Sequence, residues 1–430
     1  MMRLKRIFKY LAAFIFLSIL WCAIIFYGTL NGWWHKPFTS SNNPQLFTEA
    51  VKQQIEKEFT GNFAMALMKD GKVEREVFYS QNKTVNKNTI FQVSSLSKLV
   101  SSAGIMKLIE TGKIELDTPV SKYIKRWQLP PSEFENEQVT VRRLLSHTAG
   151  LTDELGYNGF ENMDSVQSLE ASLTKAKDAD NGVAGEVKVG IEPGSQWKYS
   201  GGGFTLLQLV VEESTGQSFN DYMRDTLFRP LNMNSSTYIL NDTLSNRLCE
   251  FYNSDNSTAP HLFYSSLAAT SLYTSLSDME TFFQLFFTGK NGEPIGRGKL
   301  SPASLRLLRA SQWDIMGAGI YGLGCMLYID IENQEYIFGH DGKSTPPINT
   351  AMRINPVTGD GIIILETGNP DLATRIASDW VFLETGKSDT LLFTMLIDKM
   401  VSIILIGLIL ISILLIGIWI WHQKRNIVNQ

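Results

Sequence analysis

Residues 91–112 read FQVSSLSKLVSSAGIMKLIETG, and this stretch carries the strongest structural and chemical signal in the chain. Across residues 99–110 apolar side chains recur at helical spacing, and Gly112 stands where such a helix would end. Ser95 is therefore predicted to open the helix, with Lys98 one turn later on the same face. Because a helix N-terminus carries partial positive charge, it would stabilise an oxyanion formed at Ser95, as a serine nucleophile requires.

Serine followed three residues later by lysine is not specific by itself. The same spacing occurs three more times, at Ser80/Lys83, Ser172/Lys175 and Ser195/Lys198. Serine at the start of a helix is also a frequent N-cap, whose role is structural. The interpretation of Ser95 as a nucleophile therefore depends on the motifs that accompany it.

The motifs downstream of Ser95 narrow the choice. They are LLSHTAGL at residues 144–151, EPGSQWKYSG at residues 192–201 and GHDG at residues 339–342. In this order and spacing they resemble the serine β-lactamase and penicillin-binding-protein superfamily, and more narrowly its class C β-lactamase, DD-peptidase and esterase branch. The resemblance extends over roughly residues 45–385.

The resemblance implies that Ser95 is acylated while Lys98 and Tyr199 move protons. A free lysine has a pKa of about 10.4, so Lys98 can act as the base at neutral pH only if burial or a cationic neighbour lowers that pKa. Alternatively, Tyr199 is the base, as a phenolate stabilised by Lys98. A tyrosine that only packs against the core is the structural alternative for Tyr199. No metal or cofactor is implied.

The third motif is implied to complete the site. By the resemblance His340 lines it, Gly342 permits close approach of the substrate, and the backbone N–H groups of Ser95 and Lys343 form the oxyanion hole. A buried or strand-edge histidine is the alternative for His340.

Two departures from the superfamily pattern affect substrate recognition. Gly201 stands where the Tyr-x-Asn motif has an amide that contacts the substrate. His340 stands where the third motif has lysine, and Asp341 adds a nearby negative charge. Recognition of a β-lactam or peptide carboxylate is therefore left open, and efficient antibiotic resistance is not the first expectation.

Asp117 and His147 offer a different catalytic interpretation, because with a serine they could form a Ser-His-Asp triad. The resemblance instead implies a structural position for His147.

The pattern of strands and helices predicts an α/β, more closely α+β, sandwich in which helices cover a mostly antiparallel sheet. Strands are predicted at residues 61–67, 73–79, 335–340, 350–354 and 361–366, and covering helices at residues 45–59 and 371–383. KDGK at residues 69–72 predicts a hairpin turn between the first two strands. Residues 116–308 are predicted to form an inserted, mainly helical lobe, with residues 156–190 as an irregular insertion beside the site.

Two uncharged apolar stretches flank this domain, at residues 10–30 and 401–421, and each is close to the ~20 residues that span a bilayer. Basic residues precede the first and follow the second, so the positive-inside rule predicts cytoplasmic termini. A cleaved signal peptide is the alternative for the first stretch, but the apolar run is too long and lacks a small-residue cleavage site. The predicted order is a cytoplasmic tail (1–9), a transmembrane helix (10–30), a linker (31–44), an extracytoplasmic domain (45–390), a transmembrane helix (400–421) and a cytoplasmic tail (422–430).

Composition excludes some classes of function. A net charge of −4 and a pI near 5.9 provide no basic field for nucleic acid. The three cysteines are too few for a disulfide framework, and pairing of Cys249 with Cys325 is left open.

The sequence therefore predicts a membrane-anchored serine hydrolase of the bacterial cell membrane, acting through an acyl-enzyme on a peptide, D-amino-acid amide or ester at the cell envelope. The alternatives are a catalytically weak, penicillin-binding-like interaction protein and a true β-lactamase. Intact Ser95, Lys98 and Tyr199 favour an enzyme. The oligomeric state is left open.

Overall fold

The computed structural model describes residues 2–58, 61–153, 157–289, 291–332 and 334–428. The chain divides into two compact units, one from Phe38 to Trp380 and one made of the segments before and after it. Each unit is described by itself.

An eight-stranded antiparallel sheet forms the centre of the Phe38–Trp380 unit, in the order β2-β1-β12-β11-β10-β9-β8-β7. Its strands are β1 (Asn62–Lys69), β2 (Lys72–Ser80), β7 (Trp313–Ile315), β8 (Ala318–Tyr321), β9 (Met326–Glu332), β10 (Glu335–Ser344), β11 (Ile348–Ile354) and β12 (Gly361–Thr367). Two small two-stranded sheets pair β3 (Ile90–Gln92) with β6 (Tyr273–Ser275), and β4 (Phe251–Tyr252) with β5 (Thr258–Ala259). The predicted fold class, an antiparallel sheet covered by helices, is confirmed.

Helices supply the remaining layers of this unit. They are α2 (Pro44–Lys57), α3 (Ser97–Glu110), α4 (Val141–Leu145), α5 (Leu169–Lys175), α6 (Gly201–Thr215), α7 (Phe219–Met223), α8 (Asp242–Ser245), α9 (Leu267–Thr270), α10 (Leu276–Phe283), α11 (Pro302–Arg309) and α12 (Leu372–Thr385), the last of which runs on beyond Trp380. A 3₁₀ turn, Ser94–Leu96, joins β3 to α3. The predicted helical lobe is present between β3 and β7, and the insertion at residues 156–190 contains α5 and a short turn, Met163–Ser165; residue 156 lies outside the described part of the chain.

The β1–β2 turn forms where KDGK predicts it. Asp70 and Gly71 both adopt positive φ, 50° and 71°, as the two central residues of a type I′ hairpin turn require. The backbone N–H of Asp70 is held by Asp360, whose Oδ1 accepts it at 3.0 Å.

Three strands of the eight-stranded sheet were not predicted from the sequence, namely β7, β8 and β9, and neither were the short strands β3 to β6. β7 and β8 are short, and the β7–β8 and β9–β10 pairings contain irregularities that interrupt the two-residue alternation on which a strand prediction depends. β10 also extends to Ser344, four residues beyond the predicted end. The site motif GHDG therefore lies inside a strand.

Cys249 and Cys325 are both buried, and both are free thiols. They form no disulfide with each other, and burial raises the pKa of each thiol.

The second unit contains two long apolar helices, α1 (Met2–Leu30) and α13 (Thr390–Val428). The segments Ile7–Leu30 and Thr390–Arg425 are long and apolar enough to cross a membrane, and little of either is buried in protein. The helices are antiparallel: Tyr10 lies beside His422, and Phe26 packs edge-on against Phe393 with ring centroids 5.6 Å apart.

Candidate active site

Ser95 lies in the turn between a strand and a helix. It is the central residue of the 3₁₀ turn Ser94–Leu96, and α3 begins at Ser97, so Ser95 lies two residues before the α-helix that it was predicted to open. Leu96 and Ser94 are buried, whereas Ser95 is partly exposed. The turn therefore presents one hydroxyl to solvent on a fixed support.

Lys98 lies directly beneath that hydroxyl. Its Nζ is 3.2 Å from Ser95 Oγ and donates a hydrogen bond to the carbonyl of Ala269 at 2.8 Å. The side chain is 2% exposed. Burial lowers the pKa of Lys98 to about 7, against a smaller opposing effect of the Asp153 carboxylate. A substantial fraction of the amine is therefore unprotonated at neutral pH.

Tyr199 completes the group. The centre of its ring lies 4.9 Å from Lys98 Nζ. Burial raises the pKa of the Tyr199 phenol above its ordinary value, and the nearby Ser95 hydroxyl only partly offsets this. The structure thus brings together the three residues predicted to be catalytic, with tyrosine as the group that keeps its proton.

Asp153 was not predicted to belong to the site. Its carboxylate accepts the Ser200 hydroxyl at 2.6 Å and the Gly202 backbone N–H at 2.7 Å, and the residue is 1% exposed. Ser200 is the N-cap of α6, so a buried anion lies at the positive end of that helix. These hydrogen bonds hold the start of α6 in place, and with it the neighbouring residue Tyr199. Gly201, the first residue of α6, is also buried.

Tyr321 was also not predicted to belong to the site. Its hydroxyl lies 3.1 Å from Nε2 of His147 and 3.1 Å from Nε2 of His340. Ser200 donates its backbone N–H to His147 Nδ1, and His340 Nδ1 lies 2.6 Å from the carbonyl of Asp341, which can only accept.

The backbone partners at the two ends fix the position of each proton in the hydrogen-bonded series His147–Tyr321–His340. His147 must carry its proton on Nε2 and donate it to Tyr321, and Tyr321 must donate its own to His340 Nε2. Both imidazoles are therefore neutral. Burial, together with the charge of Lys98, lowers the pKa of His340 to about 3 and that of His147 well below its ordinary value.

His340 is a buried residue, the alternative that the sequence left open. It is completely inaccessible to solvent, and its ring centroid lies 6.3 Å from that of Tyr199. His147 packs more closely, with ring centroids 4.3 Å apart from Tyr199. The two histidines thus support Tyr199 from behind.

The side chain of Asp341 lies on the opposite face of β10 from His340, as alternation along a strand requires. Its carboxylate forms a buried ion pair with Arg353 and accepts hydrogen bonds from Tyr328 and Thr374, each at 2.7 Å. The charge of Asp341 therefore lies near His340, as predicted, but its carboxylate faces away from the catalytic residues and is paired with Arg353. Burial alone would raise the pKa of Asp341, but Arg353 and its other partners hold it below the ordinary value.

Lys343 shares that opposite face, where its ammonium forms an ion pair with Asp371. Its backbone points elsewhere: the Lys343 carbonyl accepts the Ser94 hydroxyl at 2.7 Å. In a strand, the N–H and C=O of one residue point to the same edge. The Lys343 N–H therefore faces the turn that carries Ser95, as an oxyanion hole requires.

Gly342 is required by protein packing. A Cβ at this position would lie 2.2 Å from the Val93 carbonyl oxygen and 2.4 Å from Thr350 Oγ1. The missing side chain thus lets the turn before α3 lie against β10, which adds to the predicted role of admitting substrate.

The structure does not assemble a Ser-His-Asp triad. Asp117 is paired with Arg142, with 71% of its side chain exposed, and both ring nitrogens of His147 are occupied by Ser200 and Tyr321. His147 is a structural residue.

Comparison with known proteins agrees with this fold. The Beta-lactamase family model matches residues 47–385, and the chain belongs to that family. Its class is therefore the superfamily of serine hydrolases that contains the β-lactamases and the penicillin-binding proteins.

Among curated relatives, the chain is 27% identical over 308 residues to penicillin-binding protein 4 of Amycolatopsis lactamdurans, covering 69% of this chain and 76% of that one. It is 32% identical over 173 residues to penicillin-binding protein 4* of Bacillus subtilis, covering 40% of this chain but only 36% of the relative. Protein flp of Staphylococcus aureus is 21% identical over 348 residues, covering 78% of this chain and 65% of that one.

A solved structure, the octameric penicillin-binding protein homologue from Pyrococcus abyssi, matches with a TM-score of 0.64 at 24% identity, over 80% of this chain and 78% of that one. It supports the fold.

Proposed function

We propose that the chain is a membrane-anchored, extracytoplasmic serine hydrolase that forms an acyl-enzyme on Ser95. The observation that carries the proposal is the position of Lys98, whose amine lies 3.2 Å from Ser95 Oγ. Burial brings the pKa of that amine to about 7. General bases work best when their pKa lies near the working pH.

Lys98 is favoured over Tyr199 as the base. Burial opposes the charged form of each residue, but the charged form is the conjugate acid of lysine and the conjugate base of tyrosine. Burial therefore makes Lys98 a usable base and makes the Tyr199 phenolate costly. Of the two proton arrangements that the sequence left open, these pKa shifts support the first.

In acylation, neutral Lys98 takes the proton of Ser95 as Oγ bonds to the substrate carbonyl carbon. The C=O π electrons move to the oxygen, which the N–H groups of Ser95 and Lys343 stabilise. The tetrahedral intermediate then collapses, re-forming C=O and breaking the bond to the leaving group. The leaving group takes a proton from the Tyr199 phenol, which regains one from the Lys98 ammonium.

Deacylation repeats these steps with water as the nucleophile. Water gives its proton to the base and its oxygen to the acyl carbon, and Ser95 Oγ leaves as a hydroxyl. The enzyme returns to its starting protonation state.

The proposed location depends on the two apolar helices. Each has the length and composition of a membrane-spanning helix and is largely unburied in protein. Arg3, Lys5, Arg6 and Lys9 before the first, with Lys424 and Arg425 after the second, favour cytoplasmic termini. The catalytic domain would then lie outside a bacterial cytoplasmic membrane, where the substrate would be an envelope peptide, a D-amino-acid amide or an ester.

Neutral His340 bears on which of these is hydrolysed. Both its nitrogens are occupied within the protein, so it offers no charge to a substrate carboxylate. This favours an amide or ester hydrolase over an efficient β-lactamase. A catalytically weak binding protein is the second candidate, favoured by the loss of the amide that Gly201 replaces.

Covalent labelling tests the proposal. The detergent-solubilised full chain would be treated with fluorescent penicillin and, separately, with a fluorophosphonate, and adducts located by mass spectrometry. We expect an adduct at Ser95 that Ser95→Ala abolishes. The matched control is Ser195→Ala, which alters an exposed serine with the same spacing to lysine. A folded protein that takes neither probe, or is labelled elsewhere, would favour the binding-protein candidate.

A further inference from the structure

The residue before the candidate nucleophile has an unusual backbone. Ser94 has φ 49°, in the left-handed region that residues other than glycine seldom adopt. Such a conformation persists only where the surroundings hold it. The contacts of Ser94 show what holds it.

Ser94 is tied to its surroundings from both sides. Its hydroxyl donates to the carbonyl of Lys343 at 2.7 Å. Its own carbonyl accepts the Ser97 hydroxyl at 2.5 Å, and Ser97 Oγ in turn accepts the Leu272 backbone N–H at 3.0 Å. The side chain thus reaches β10 while the backbone is anchored to α3 and the segment before β6.

The bond from Ser94 joins the two halves of the proposed oxyanion hole. One N–H donor belongs to Ser95, the next residue, and the other belongs to Lys343, whose carbonyl Ser94 holds. Two further contacts press the same elements together: Thr350 donates its hydroxyl to the Val93 carbonyl at 2.8 Å, and Gly342 leaves no Cβ between them. β9 pairs with β10 only as far as Gly339, so this part of β10 lacks that strand as a neighbour.

We propose that Ser94 is a positioning residue whose hydroxyl sets the separation of the two oxyanion-hole N–H groups. The inference rests on the proposed function and adds a residue to it. Because such donors act only within hydrogen-bonding distance of the oxyanion, a displacement on the order of 1 Å can reduce the rate about 10²-fold. Substrate binding depends less on this distance, because the charge on the oxygen develops only in the transition state.

Two substitutions separate the hydroxyl from the backbone conformation. Ser94→Ala removes the bond and keeps a Cβ at φ 49°, whereas Ser94→Gly removes the bond and adopts that φ freely. The control is Ser236→Ala, which removes another buried hydroxyl, one bonded to Thr274 and Asp278.

The measurement is the rate of Ser95 acylation as a function of probe concentration, using whichever probe labels the wild type. We expect both Ser94 variants to lose about 10- to 100-fold in limiting rate. The concentration for half-maximal rate should change by less than about twofold, since uniform binding is unaffected. Ser236→Ala should retain the wild-type rate.

The proposal is overturned if both variants keep the wild-type limiting rate, or if Ser94→Gly keeps it while Ser94→Ala does not, since backbone strain would then be the cause. If Ser94→Ala does not fold, the glycine variant alone decides. A wild type that is never labelled at Ser95 refutes the proposed function, and this inference with it.

Discussion

The amine of Lys98 lies 3.2 Å from the hydroxyl of Ser95, and it does so from a position that is only 2% exposed. Proximity and burial act together here. The first places a base within reach of the proton to be moved, and the second brings its pKa to about 7.

Lys98→Arg should slow acylation strongly while preserving a positive charge. A guanidinium stays protonated at every accessible pH, so it cannot accept the proton of Ser95. We expect a loss of about 10²–10⁴-fold in the acylation rate, the range typical of a general base. Lys198→Arg serves as the control because it lies in the unrelated Ser195/Lys198 pair. Retention of the wild-type rate in Lys98→Arg would exclude lysine as the base.

Asp153→Asn should weaken the hydrogen bonds that hold the start of α6 and shift the pH dependence of the acylation rate. The Asp153 charge raises the pKa of Lys98, so neutralising it should lower that pKa further. The acid limb of the rate profile should therefore move to lower pH. Replacing a carboxylate that accepts two buried hydrogen bonds should also cost about 1–3 kcal/mol of unfolding free energy. Urea unfolding and a pH–rate profile measure the two effects, and a limb that moves to higher pH would contradict the assigned sign.

Tyr321→Phe should lower the free energy of unfolding more than removal of another buried tyrosine hydroxyl does. It leaves a donor on His147 and an acceptor on His340 without their partner, at about 1–3 kcal/mol for each buried group. Tyr238→Phe is the matched control, since Tyr238 is also buried but hydrogen-bonds one side chain, that of Ser101. Equal unfolding free energies for the two variants would argue against the proton arrangement described here.

Residues close together in sequence were the predictable part of the site. Ser95 and Lys98 lie three residues apart, and the motif around Tyr199 is likewise contiguous, so the order of these short motifs supported the family resemblance that implies their chemistry. The face of Asp341 was also predictable, because alternation along a strand sends it away from the side that His340 occupies. Reading the two residues as neighbours in one site ignored that alternation.

Asp153 and Tyr321 could not be assigned in this way. Each acts through partners distant in sequence: Asp153 through the start of α6, and Tyr321 through two histidines, one on each side of it in the chain. An acid in a glycine-containing loop carries no sequence signal for a helix that begins almost fifty residues later. The burial of His340 depends on the same tertiary contacts.

The pH dependence of Ser95 phosphonylation tests the central claim most directly, because a fluorophosphonate needs activation of the serine and no natural substrate. The rate should rise with pH through an apparent pKa of about 7 and then level off, since only unprotonated Lys98 can accept the proton. Tyr199→Phe should retain that limb at reduced amplitude. A limb near pH ~10 in the wild type would contradict a base whose pKa is lowered to about 7. Disappearance of the limb in Tyr199→Phe would contradict the account and identify the tyrosine as the base.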